Sequence, residues 1–402
     1  MKNVKNTNKW VFLYGGQGSQ RPGMGIDFAQ AFPQDSLYSN PYCNQEELDY
    51  LLAPDFDRIH ETRYAQVALT VFALTVTRLL NRKNIHPAAA LGLSAGEFPA
   101  LAAANVYSPE ATLAIIKRRA ELMSSRLQQR HQQGYEDGML VVLGLEETVL
   151  DTCLAPFPAL SPANMNAKTQ LTVSGPKADL ELLRRKVLDA GAKRTLFLEV
   201  EGAFHSKVFD PDVAELRRAL LAAGPAGKAQ ADLPLNILGR PVTEPYDFRH
   251  WSDSGQAGAN RHFDNNKHLS NNENTDDNKY LSNNKHMSNN GNTDDSEKPG
   301  GNEKPTGSNY LAEGEHPIES HPIDEADKQT EIYADLMSRQ MASPTRLDDC
   351  FTYLLHHGYT HFVEIAPQAV LTPLLRRRSA DLNLRHIGNV EAFSAFISEA
   401  ID

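Results

Sequence analysis

A serine between two glycines is the residue of this chain best suited to nucleophilic chemistry. Ser94 is the centre of Gly92-Leu93-Ser94-Ala95-Gly96, a G-x-S-x-G pattern. Residues 88–91 before it are typical of a short buried strand, and residues 99–103 after it of a helix. A strand-to-helix turn exposes the serine hydroxyl, and the N-terminus of the helix favours a developing oxyanion. The pattern also occurs in ordinary turns of small residues, so by itself it leaves a structural role open.

A histidine is the second candidate for this chemistry. His205 lies in Gly202-Ala203-Phe204-His205-Ser206, directly after Lys193–Val200, whose composition predicts a strand. Loops at strand ends often carry functional residues. A single histidine there can equally be structural, so the residues alone leave both roles open.

A glycine-rich loop follows the first predicted strand, Trp10–Tyr14. Its sequence, Gly15-Gly16-Gln17-Gly18-Ser19-Gln20, has neither the G-x-G-x-x-G spacing nor a G-K-[ST] ending, which disfavours nucleotide binding. Glycines at 16 and 18 would instead let the backbone at Gln17 approach a reacting centre. An ordinary turn at a strand end is the competing interpretation.

Three consecutive cations lie within the predicted helix Pro109–Gln128. Lys117, Arg118 and Arg119 together span about 200° of the helix circumference. Charges on a helix usually face solvent, but this spread predicts that one of the three points inward.

Composition limits the classes of function. The chain has 402 residues, 41% of them hydrophobic, and a formal net charge of -11, which disfavours non-specific binding to nucleic acid. Its three cysteines, Cys43, Cys153 and Cys350, are too far apart to suggest disulfides or a zinc site. No apolar run is long enough for a signal peptide or a membrane span. We therefore expect a cytoplasmic protein that binds neither nucleic acid nor membrane.

The order of predicted elements indicates an α/β protein. Helical periodicity over Tyr64–Leu80 leads into the serine strand, its turn and the following helix. Six further segments follow in the order β-α-β-β-α-β, which predicts an inserted ferredoxin-like module. Its strands are predicted at 138–145, 160–165, 170–175 and 193–200, and its helices at 146–154 and 176–190.

The last third of the chain changes in character. A predicted strand, Leu233–Leu238, is followed by a stretch over 251–323 that is rich in Asn, Asp, Gly, Ser, Lys and His and contains a near-repeat. Such a stretch buries too little apolar surface to offset its ordering entropy, so we expect a disordered insertion. Further elements are predicted as helices at 331–340 and up to 357, a strand at 362–365, and a last major helix from 367.

Taken together, these motifs give the chain a resemblance to malonyl-CoA:acyl carrier protein transacylases and to the acyltransferase domains of polyketide and fatty acid synthases. It covers nearly everything except 251–323. Four stretches carry it in the family's order: Gly16-Gln17-Gly18-Ser19-Gln20, Gly92 to Glu97, Arg119-Ala120-Glu121-Leu122-Met123, and Gly202 to Ser206. Gln340 before Ser343-Pro344 and Glu364-Ile365-Ala366-Pro367 before Val370-Leu371-Thr372 are weaker matches.

The resemblance implies a two-step acyl transfer. Ser94 would attack the malonyl thioester and hold the acyl group as an ester. His205 would act as general base and then acid, oriented by backbone carbonyls near Gln340 rather than by an aspartate. The backbone N–H groups of Gln17 and Ala95 would hold the oxyanion.

The resemblance also implies how the substrate is chosen. Arg119 would bind the free carboxylate of malonate through two parallel hydrogen bonds, with Gln66 and Gln340 supporting the site. Phe204 matches the malonyl-type residue of the family, whose bulk would crowd an α-methyl branch. The chain departs from the common family pattern at Leu93, Ala95, Ala120 and Val67, and these departures bear on substrate choice more than on the chemistry.

The fold implied is an α/β-hydrolase-like core with an inserted ferredoxin-like (βαββαβ) subdomain. We expect core segments at 1–134, 201–250 and 324–402, the small subdomain at 135–200, and the insertion at 251–323. The expected partners are malonyl-CoA, as substrate, and an acyl carrier protein. No cofactor and no metal are expected, and the protein is expected to be a monomer.

Two other functions remain as alternatives. The same Ser94–His205 pair would serve an editing hydrolase that releases acyl groups from carrier proteins, although Arg119 would then have no purpose. A non-catalytic module that binds carrier proteins would not need Ser94 and His205 at all. For an acidic carrier protein, Lys117, Arg118 and the run Arg376-Arg377-Arg378 are candidate contacts or ordinary solvated charges.

Overall fold

A computed structural model describes residues 9–243 and 325–401. The chain divides into two compact units, one formed by residues 1–257 with 323–402 and the other by residues 258–322. All described residues belong to the first unit. The predicted disordered insertion at 251–323 lies outside the described residues.

The centre of this unit is a parallel sheet of four strands. These are β1 (Trp10–Tyr14), β2 (Ala89–Gly92), β7 (His361–Ile365) and β8 (Asn383–Ile387), in the order β2-β1-β7-β8. Parallel strands end at the same edge of a sheet, so the loops after β1, β2 and β7 lie side by side. The glycine-rich loop and the serine turn therefore meet at this edge.

Twelve α-helices are found in the described parts of the chain, and apolar clusters on both faces of the sheet hold ten of them. They are α1 (Ile26–Ala31), α2 (Gln45–Leu51), α3 (Thr62–Arg82), α4 (Glu97–Ala103), α5 (Pro109–Gln132), α6 (Glu147–Leu154), α7 (Lys177–Asp189), α8 (Val213–Ala222), α9 (Glu325–Arg339), α10 (Leu347–His356), α11 (Thr372–Arg376) and α12 (Val390–Ile401). Within 9–243 and 325–401, none of the helices combines enough length with enough apolar content to cross a bilayer.

Helix α5 carries the cation run. Ser108 caps its N-terminus by accepting a hydrogen bond from the backbone of Ala111, with Pro109 in the first turn. Arg119 is fully buried, whereas Lys117 and Arg118 are partly exposed and form ion pairs. The prediction that one of the three cations points inward is confirmed.

A second, smaller sheet lies within residues 137–197. Its strands are β3 (Asp137–Leu143), β4 (Ser161–Ala167), β5 (Gln170–Pro176) and β6 (Arg194–Phe197), arranged β4-β5-β3-β6 with every pair antiparallel. Helices α6 and α7 connect β3 to β4 and β5 to β6, so the predicted β-α-β-β-α-β order is observed. One face of the sheet packs on these two helices through its own apolar cluster. The α/β class is thus confirmed, with two separate sheets.

Two predictions for the last third of the chain are wrong. Leu233–Leu238 is not a strand: it contributes one isolated bridge, from Leu235 to Arg240, because a turn closes from Gly239 N to Leu235 O. No long helix begins at Pro367 either. The carboxylate of Glu364 accepts hydrogen bonds from the backbone N–H groups of 370–372, which delays the start of α11. Strand β8 and helix α12, which follow, were not predicted.

Candidate active site

The turn after β2 holds Ser94 in a conformation that is rare for a residue with a side chain. Its φ is 54°, in the left-handed region. The two flanking glycines are required by close contacts. A Cβ on Gly92 would lie 1.9 Å from Gly96 O, and one on Gly96 would lie 2.3 Å from Tyr14 O. The turn is therefore tight on both sides and presents the serine at the edge of the sheet.

Two side-chain amides hold the strained backbone at Ser94. Asn236 Oδ1 accepts from Ser94 N at 2.8 Å, while Asn236 Nδ2 donates to Gly92 O at 2.7 Å. On the other side, Gln340 Nε2 donates to Ser94 O at 2.8 Å. Both peptide groups of the serine are thereby paired, which stabilises a conformation that costs of order 1–3 kcal/mol.

His205 is in direct contact with the serine hydroxyl. Its Nε2 lies 2.7 Å from Ser94 Oγ, and its Nδ1 lies 3.1 Å from the carbonyl oxygens of both Gln340 and Ser343. Carbonyl oxygens only accept, so Nδ1 carries the proton and Nε2 is free to accept from the serine. This is the arrangement that a general base needs.

The electrostatic surroundings keep His205 neutral. Burial and, to a smaller extent, the nearby charge of Arg119 lower its pKa to about 4, against the two backbone carbonyls, which favour the protonated ring. At neutral pH the imidazole is therefore unprotonated at Nε2. It is ready to take a proton from Ser94.

Arg119 reaches the same place from helix α5. Its Nη1 donates to Gln66 Oε1 at 2.6 Å and its Nη2 to Gln340 Oε1 at 2.9 Å, while Nη2 also lies 3.4 Å from Ser94 Oγ. Its guanidinium lies over the ring of Phe98, 5.5 Å from the centroid. Burial lowers the pKa of Arg119 to about 10, so the group is still charged at neutral pH. Its Nε is buried and has no partner in the described residues.

A buried glutamate, for which the sequence patterns indicated no role, completes the network. Glu97 Oε2 accepts from Gln340 Nε2 at 2.6 Å, and Oε1 accepts from Asn236 N at 2.7 Å. Burial raises the pKa of Glu97 to about 7, although both hydrogen bonds and the charge of Arg119 favour its ionised form. Its position directly after Gly96, the last residue of the serine motif, was the available signal.

Asn236 was missed as well. It lies in the segment predicted as a strand, where a single amide among apolar residues was a signal for a buried polar contact. The structure places it under the serine turn, fully buried. Its role depends on contacts with residues about 140 positions earlier, which no local pattern shows.

The glycine-rich loop lies against the serine turn. A Cβ on Gly16 would lie 2.3 Å from Leu93 O, so only glycine permits this approach. Ser19 closes the loop by donating to Gly16 O from both Oγ and N, at 2.7 Å and 3.1 Å. The side chain of Gln17 donates to Thr62 Oγ1 at 3.1 Å. The backbone of Gln17 is thereby brought beside the turn that contains Ala95.

Phe204 is buried immediately before His205. Its ring stacks on that of Phe209, with centroids 6.3 Å apart and planes 6° from parallel. Its carbonyl oxygen accepts from Ser174 Oγ at 2.6 Å, which joins the loop to β5 of the small sheet. Ser94, His205, Arg119, Gln66 and Gln340 thus form one connected cluster, with Phe204 at its edge.

A metal has no evident place among these residues. In the described ranges, no group of three or more His, Cys, Asp or Glu side chains is arranged to hold a metal ion. The polar groups around Ser94 are an arginine, two glutamines, an asparagine and a histidine, together with Glu97. They suit an anionic or polar organic substrate.

Comparisons with known proteins agree with this geometry. Residues 11–254 match the family described as "Acyl transferase domain". The chain is 30% identical to polyketide biosynthesis protein ThaF of Burkholderia thailandensis over 236 residues, which is 58% of this chain but only 20% of that protein. It is 24% identical to the malonyl CoA-acyl carrier protein transacylase of Staphylococcus aureus over 394 residues, covering 96% of this chain and 97% of that one.

Solved structures share the fold. A Streptococcus pneumoniae protein titled MCAT superposes with a TM-score of 0.67 at 20% identity, over 97% of this chain and all of that one. A malonyl-transacylase solved in complex with its type II PKS acyl-carrier protein superposes with a TM-score of 0.66 at 20% identity, over 98% of this chain and all of that one. At these identities the likeness describes the fold alone.

Proposed function

The chain belongs to the acyl transferase domain family, and from that premise we propose that it transfers a malonyl group from CoA to the thiol of an acyl carrier protein. One observation carries the proposal: His205 Nε2 lies 2.7 Å from Ser94 Oγ, beside the buried cation of Arg119. A cation that can bind a carboxylate is needed beside a nucleophile and its base only if the transferred acyl group carries a free carboxylate, as malonyl does. The transacylases among the relatives support the same substrate.

In the first half-reaction, Ser94 Oγ attacks the thioester carbonyl of malonyl-CoA. His205 Nε2 takes the hydroxyl proton and then delivers it to the sulfur of CoA as the C–S bond breaks. The negative charge on the carbonyl oxygen is held by the backbone N–H groups of Gln17 and Ala95. The product is a malonyl ester on Ser94 and free CoA.

The second half-reaction repeats these steps in reverse order. The thiol of the carrier protein enters where CoA has left, and His205 takes its proton. The thiolate attacks the ester carbonyl, and the proton returns to Ser94 Oγ as the C–O bond breaks. Hydrogen bonds from Nδ1 to two carbonyls hold the ring through both steps, so no carboxylate is needed to orient it.

Arg119 selects the acyl group. The carboxylate of malonate would accept from the guanidinium, including the buried Nε that has no other partner in the described residues. Gln66 and Gln340 hold the other nitrogens and fix the plane of the group. An acetyl group would leave this buried cation without a carboxylate from the substrate and would be disfavoured. Phe204, by its bulk, disfavours a methyl branch next to the thioester.

We also propose a fold type for each of the two sheets, from the order of the strands and the position of the helices. The β4-β5-β3-β6 sheet with α6 and α7 on one face supports a ferredoxin-like subdomain at 135–200. The parallel sheet with a strained serine at a strand end supports an α/β-hydrolase-like core at 1–134, 201–250 and 324–402.

We also propose that the enzyme needs no cofactor, acts as a monomer and works in a reducing compartment. Side chains and backbone amides of the chain supply every group that the proposed steps use, so we propose no cofactor and treat malonyl-CoA as substrate. All these groups come from one chain, which supports a monomer. Cys43, Cys153 and Cys350 are buried free thiols, which supports a reducing compartment such as the cytoplasm.

Intact-protein mass spectrometry tests the proposal. The protein is incubated briefly with malonyl-CoA, acetyl-CoA or methylmalonyl-CoA, and a holo acyl carrier protein is then added. A malonyl adduct that moves to the carrier is the expected result. A parallel incubation uses acetyl-carrier protein as the acyl donor. An acetyl adduct that forms there and decays to free acid would instead establish an editing hydrolase.

A further inference from the structure

Glu201 is a charged residue beside the active site that the proposed steps do not use. It lies four residues before His205 and is exposed, yet its carboxylate is held by a buried residue. Glu201 Oε2 accepts from the backbone N–H of Thr62 at 2.5 Å, and it also accepts from the hydroxyl of Thr62. Thr62 itself is fully buried. The carboxylate of Glu201 is therefore fixed by two hydrogen bonds rather than solvated.

Thr62 is the first residue of helix α3, and this helix receives no capping hydrogen bond from its own sequence. The side chain of Glu61, the residue before the helix, makes none and pairs with Arg58 instead. The first N–H groups of a helix have no partner within the helix, and its N-terminus favours negative charge. Glu201 supplies both an acceptor and a negative charge at this end of α3.

The hydroxyl of Thr62 extends the contact to the glycine-rich loop. Gln17 Nε2 donates to Thr62 Oγ1 at 3.1 Å. A hydroxyl has one proton and two lone pairs, whereas a carboxylate only accepts. The proton of Thr62 therefore points to Glu201, and its lone pairs remain available to Gln17. The three side chains form one directed chain of hydrogen bonds, from Gln17 through Thr62 to Glu201.

Gln17 lies at the corner of a tight turn. The turn is closed by Ser19 N, which donates to Gly16 O at 3.1 Å. The next residue, Gly18, is exposed, and nothing lies within 4 Å of the place where its Cβ would be. The corner thus projects from the edge of the sheet. Its side-chain contact with Thr62 ties it to helix α3.

The other end of the chain belongs to the segment that carries His205. Between Glu201 and His205 the backbone is compact, because Phe204 N donates to Gly202 O at 3.1 Å. A Cβ on Gly202 would lie 2.3 Å from Leu127 Cδ2, so this turn packs closely on helix α5. Glu201 thereby joins the start of α3 to the loop of the proposed base.

The same face of α3 also contacts the proposed carboxylate-binding cation. Gln66 lies one turn after Thr62, and residues four apart share a helix face. Gln66 Oε1 accepts from Arg119 Nη1 at 2.6 Å. The first two turns of α3 therefore contact both the glycine-rich loop and Arg119.

We propose that Glu201 is a positioning residue for acyl transfer, which acts through Thr62 on the oxyanion-binding loop at Gln17. This inference rests on the proposed function. By fixing the hydroxyl of Thr62, Glu201 holds the side chain of Gln17 and with it the backbone N–H that receives the developing negative charge. That charge exists only in the transition state, so Glu201 contributes to the rate of acylation and not to the affinity for the substrate.

The test compares variants along the chain of hydrogen bonds. Glu201→Ala removes the carboxylate, and Glu201→Gln keeps an acceptor of the same size. Thr62→Val removes the hydroxyl, and Thr62→Ser keeps it. Glu199→Ala is the matched control, since Glu199 is exposed in the same segment and forms no ion pair or hydrogen bond within the ranges that the structure describes.

Acylation of Ser94 by malonyl-CoA is followed in single turnovers by rapid quench and mass spectrometry. Two quantities are obtained, the maximal rate and the half-saturating concentration of malonyl-CoA. All rates are measured well below the lowest melting temperature in the series, so that lost folding does not pass for lost chemistry.

Glu201→Ala should lower the maximal rate about tenfold, because removal of one oxyanion donor costs about 10²–10³-fold and misplacement costs part of that. The half-saturating concentration should stay within twofold of the wild type. Glu201→Gln should recover part of the rate. Thr62→Val should resemble Glu201→Ala, whereas Thr62→Ser and the control should resemble the wild type.

A double-mutant cycle with Gln17→Ala identifies the route of the effect. This variant keeps the backbone N–H of residue 17 but cuts the side-chain contact with Thr62. In its background, Glu201→Ala should lower the maximal rate by less than a further twofold. Effects that multiply would overturn the proposal, because Glu201 would then act by another route.

Two other results would also overturn it. One is a maximal rate in Glu201→Ala within twofold of the wild type. The other is a raised half-saturating concentration at an unchanged maximal rate, which would make Glu201 a substrate-binding residue.

The same cycle is run with p-nitrophenyl acetate, an activated ester that builds an oxyanion without a carboxylate on the acyl group. If the wild type is acylated by this ester but not by malonyl-CoA, the proposed function fails, while the cycle on the ester still decides the role of Glu201. A wild type in which neither compound acylates Ser94 would overturn both proposals.

Discussion

Glu97 and Gln340, 243 positions apart in sequence, share a buried hydrogen bond of 2.6 Å. Gln340 has two further side-chain contacts, to Ser94 O and to Arg119, and its own carbonyl oxygen contacts the ring of His205. The carboxylate of Glu97 accepts only, so it fixes which end of the Gln340 amide faces Arg119. One glutamine thus links Ser94, His205 and Arg119, the proposed nucleophile, base and carboxylate-binding cation, and Glu97 sets its orientation.

Replacing the nucleophile tests the assignment of Ser94. Ser94→Ala should lower transfer by about 10⁴-fold or more, because no other hydroxyl contacts His205 Nε2 in the described residues. No malonyl adduct should be seen by mass spectrometry. The melting temperature should stay near that of the wild type, which separates lost chemistry from lost folding. A malonyl adduct on the Ser94→Ala protein would show that another residue is the nucleophile.

Arg119→Ala should separate malonyl from acetyl substrates. Losing a charged hydrogen-bond pair costs about 1.5–3 kcal/mol, so kcat/KM for malonyl-CoA should fall roughly 10- to 100-fold. Loading from acetyl-CoA should fall much less, or rise. Arg119→Lys keeps the charge without the planar pair of donors and should recover only part of the malonyl activity. An unchanged malonyl-to-acetyl ratio in both variants would show that Arg119 does not bind the carboxylate of malonate.

Glu97→Gln should change the pH dependence of malonyl loading. The pKa of Glu97 is raised to about 7, so the wild type gains its two-acceptor carboxylate as the pH rises through neutrality. We expect kcat/KM for malonyl-CoA to rise through that range. In the variant this step should vanish, with a larger effect on KM than on kcat, because Glu97 acts on the substrate through Gln340 and Arg119. A wild-type profile flat from pH 6 to 8 would contradict this role.

The Glu97→Gln variant should also allow the titration of His205 to be measured. Its pKa is lowered to about 4, so the neutral base persists well below the ordinary histidine range. Once the step near neutrality is removed in Glu97→Gln, the remaining acid limb of loading should lie clearly below pH 6. Rapid-quench measurements from pH 3.5 to 7 would show it. A limb near 6.5 would mean that the ring is solvated rather than buried.

Asn236→Ala should weaken both stability and loading. The substitution leaves the backbone N–H of Ser94 and the carbonyl of Gly92 without their side-chain partner, at a cost of about 1–3 kcal/mol. Denaturant unfolding measures the first effect and adduct formation the second. Asn236→Asp keeps an acceptor for Ser94 N but loses the donor to Gly92 O. It should therefore retain more loading activity than alanine if support of the serine is what matters.

Phe204→Ala should relax the choice of acyl group. The phenyl ring is buried next to His205 and stacks on Phe209, so its removal opens space beside the reacting ester. The ratio of methylmalonyl to malonyl loading should rise, with malonyl loading itself reduced by loosened packing. Competition between the two CoA esters, followed by mass spectrometry, measures the ratio directly. A constant ratio would assign the selectivity to another residue.

Features that neighbouring residues specify could be predicted from the sequence alone. The turn at Ser94 depends on glycines two positions away on either side, and the approach of the loop at Gln17 depends on Gly16. The cation run on α5 likewise indicated that one charge must be buried. Such features need only local geometry, which a few adjacent residues fix.

Which distant groups meet depends on how the elements pack together. That Asn236 supports Ser94 and that Glu97 orients Gln340 follow from helices and loops packing at one edge of the parallel sheet. For Arg119 the resemblance already implied a place in the site, and the structure shows it fully buried there. The strand predicted at Leu233–Leu238 was wrong for the same reason, since Asn236 satisfies the serine turn instead of a ladder. Buried polar groups must find partners wherever the fold brings them, and no local pattern in the sequence records that choice.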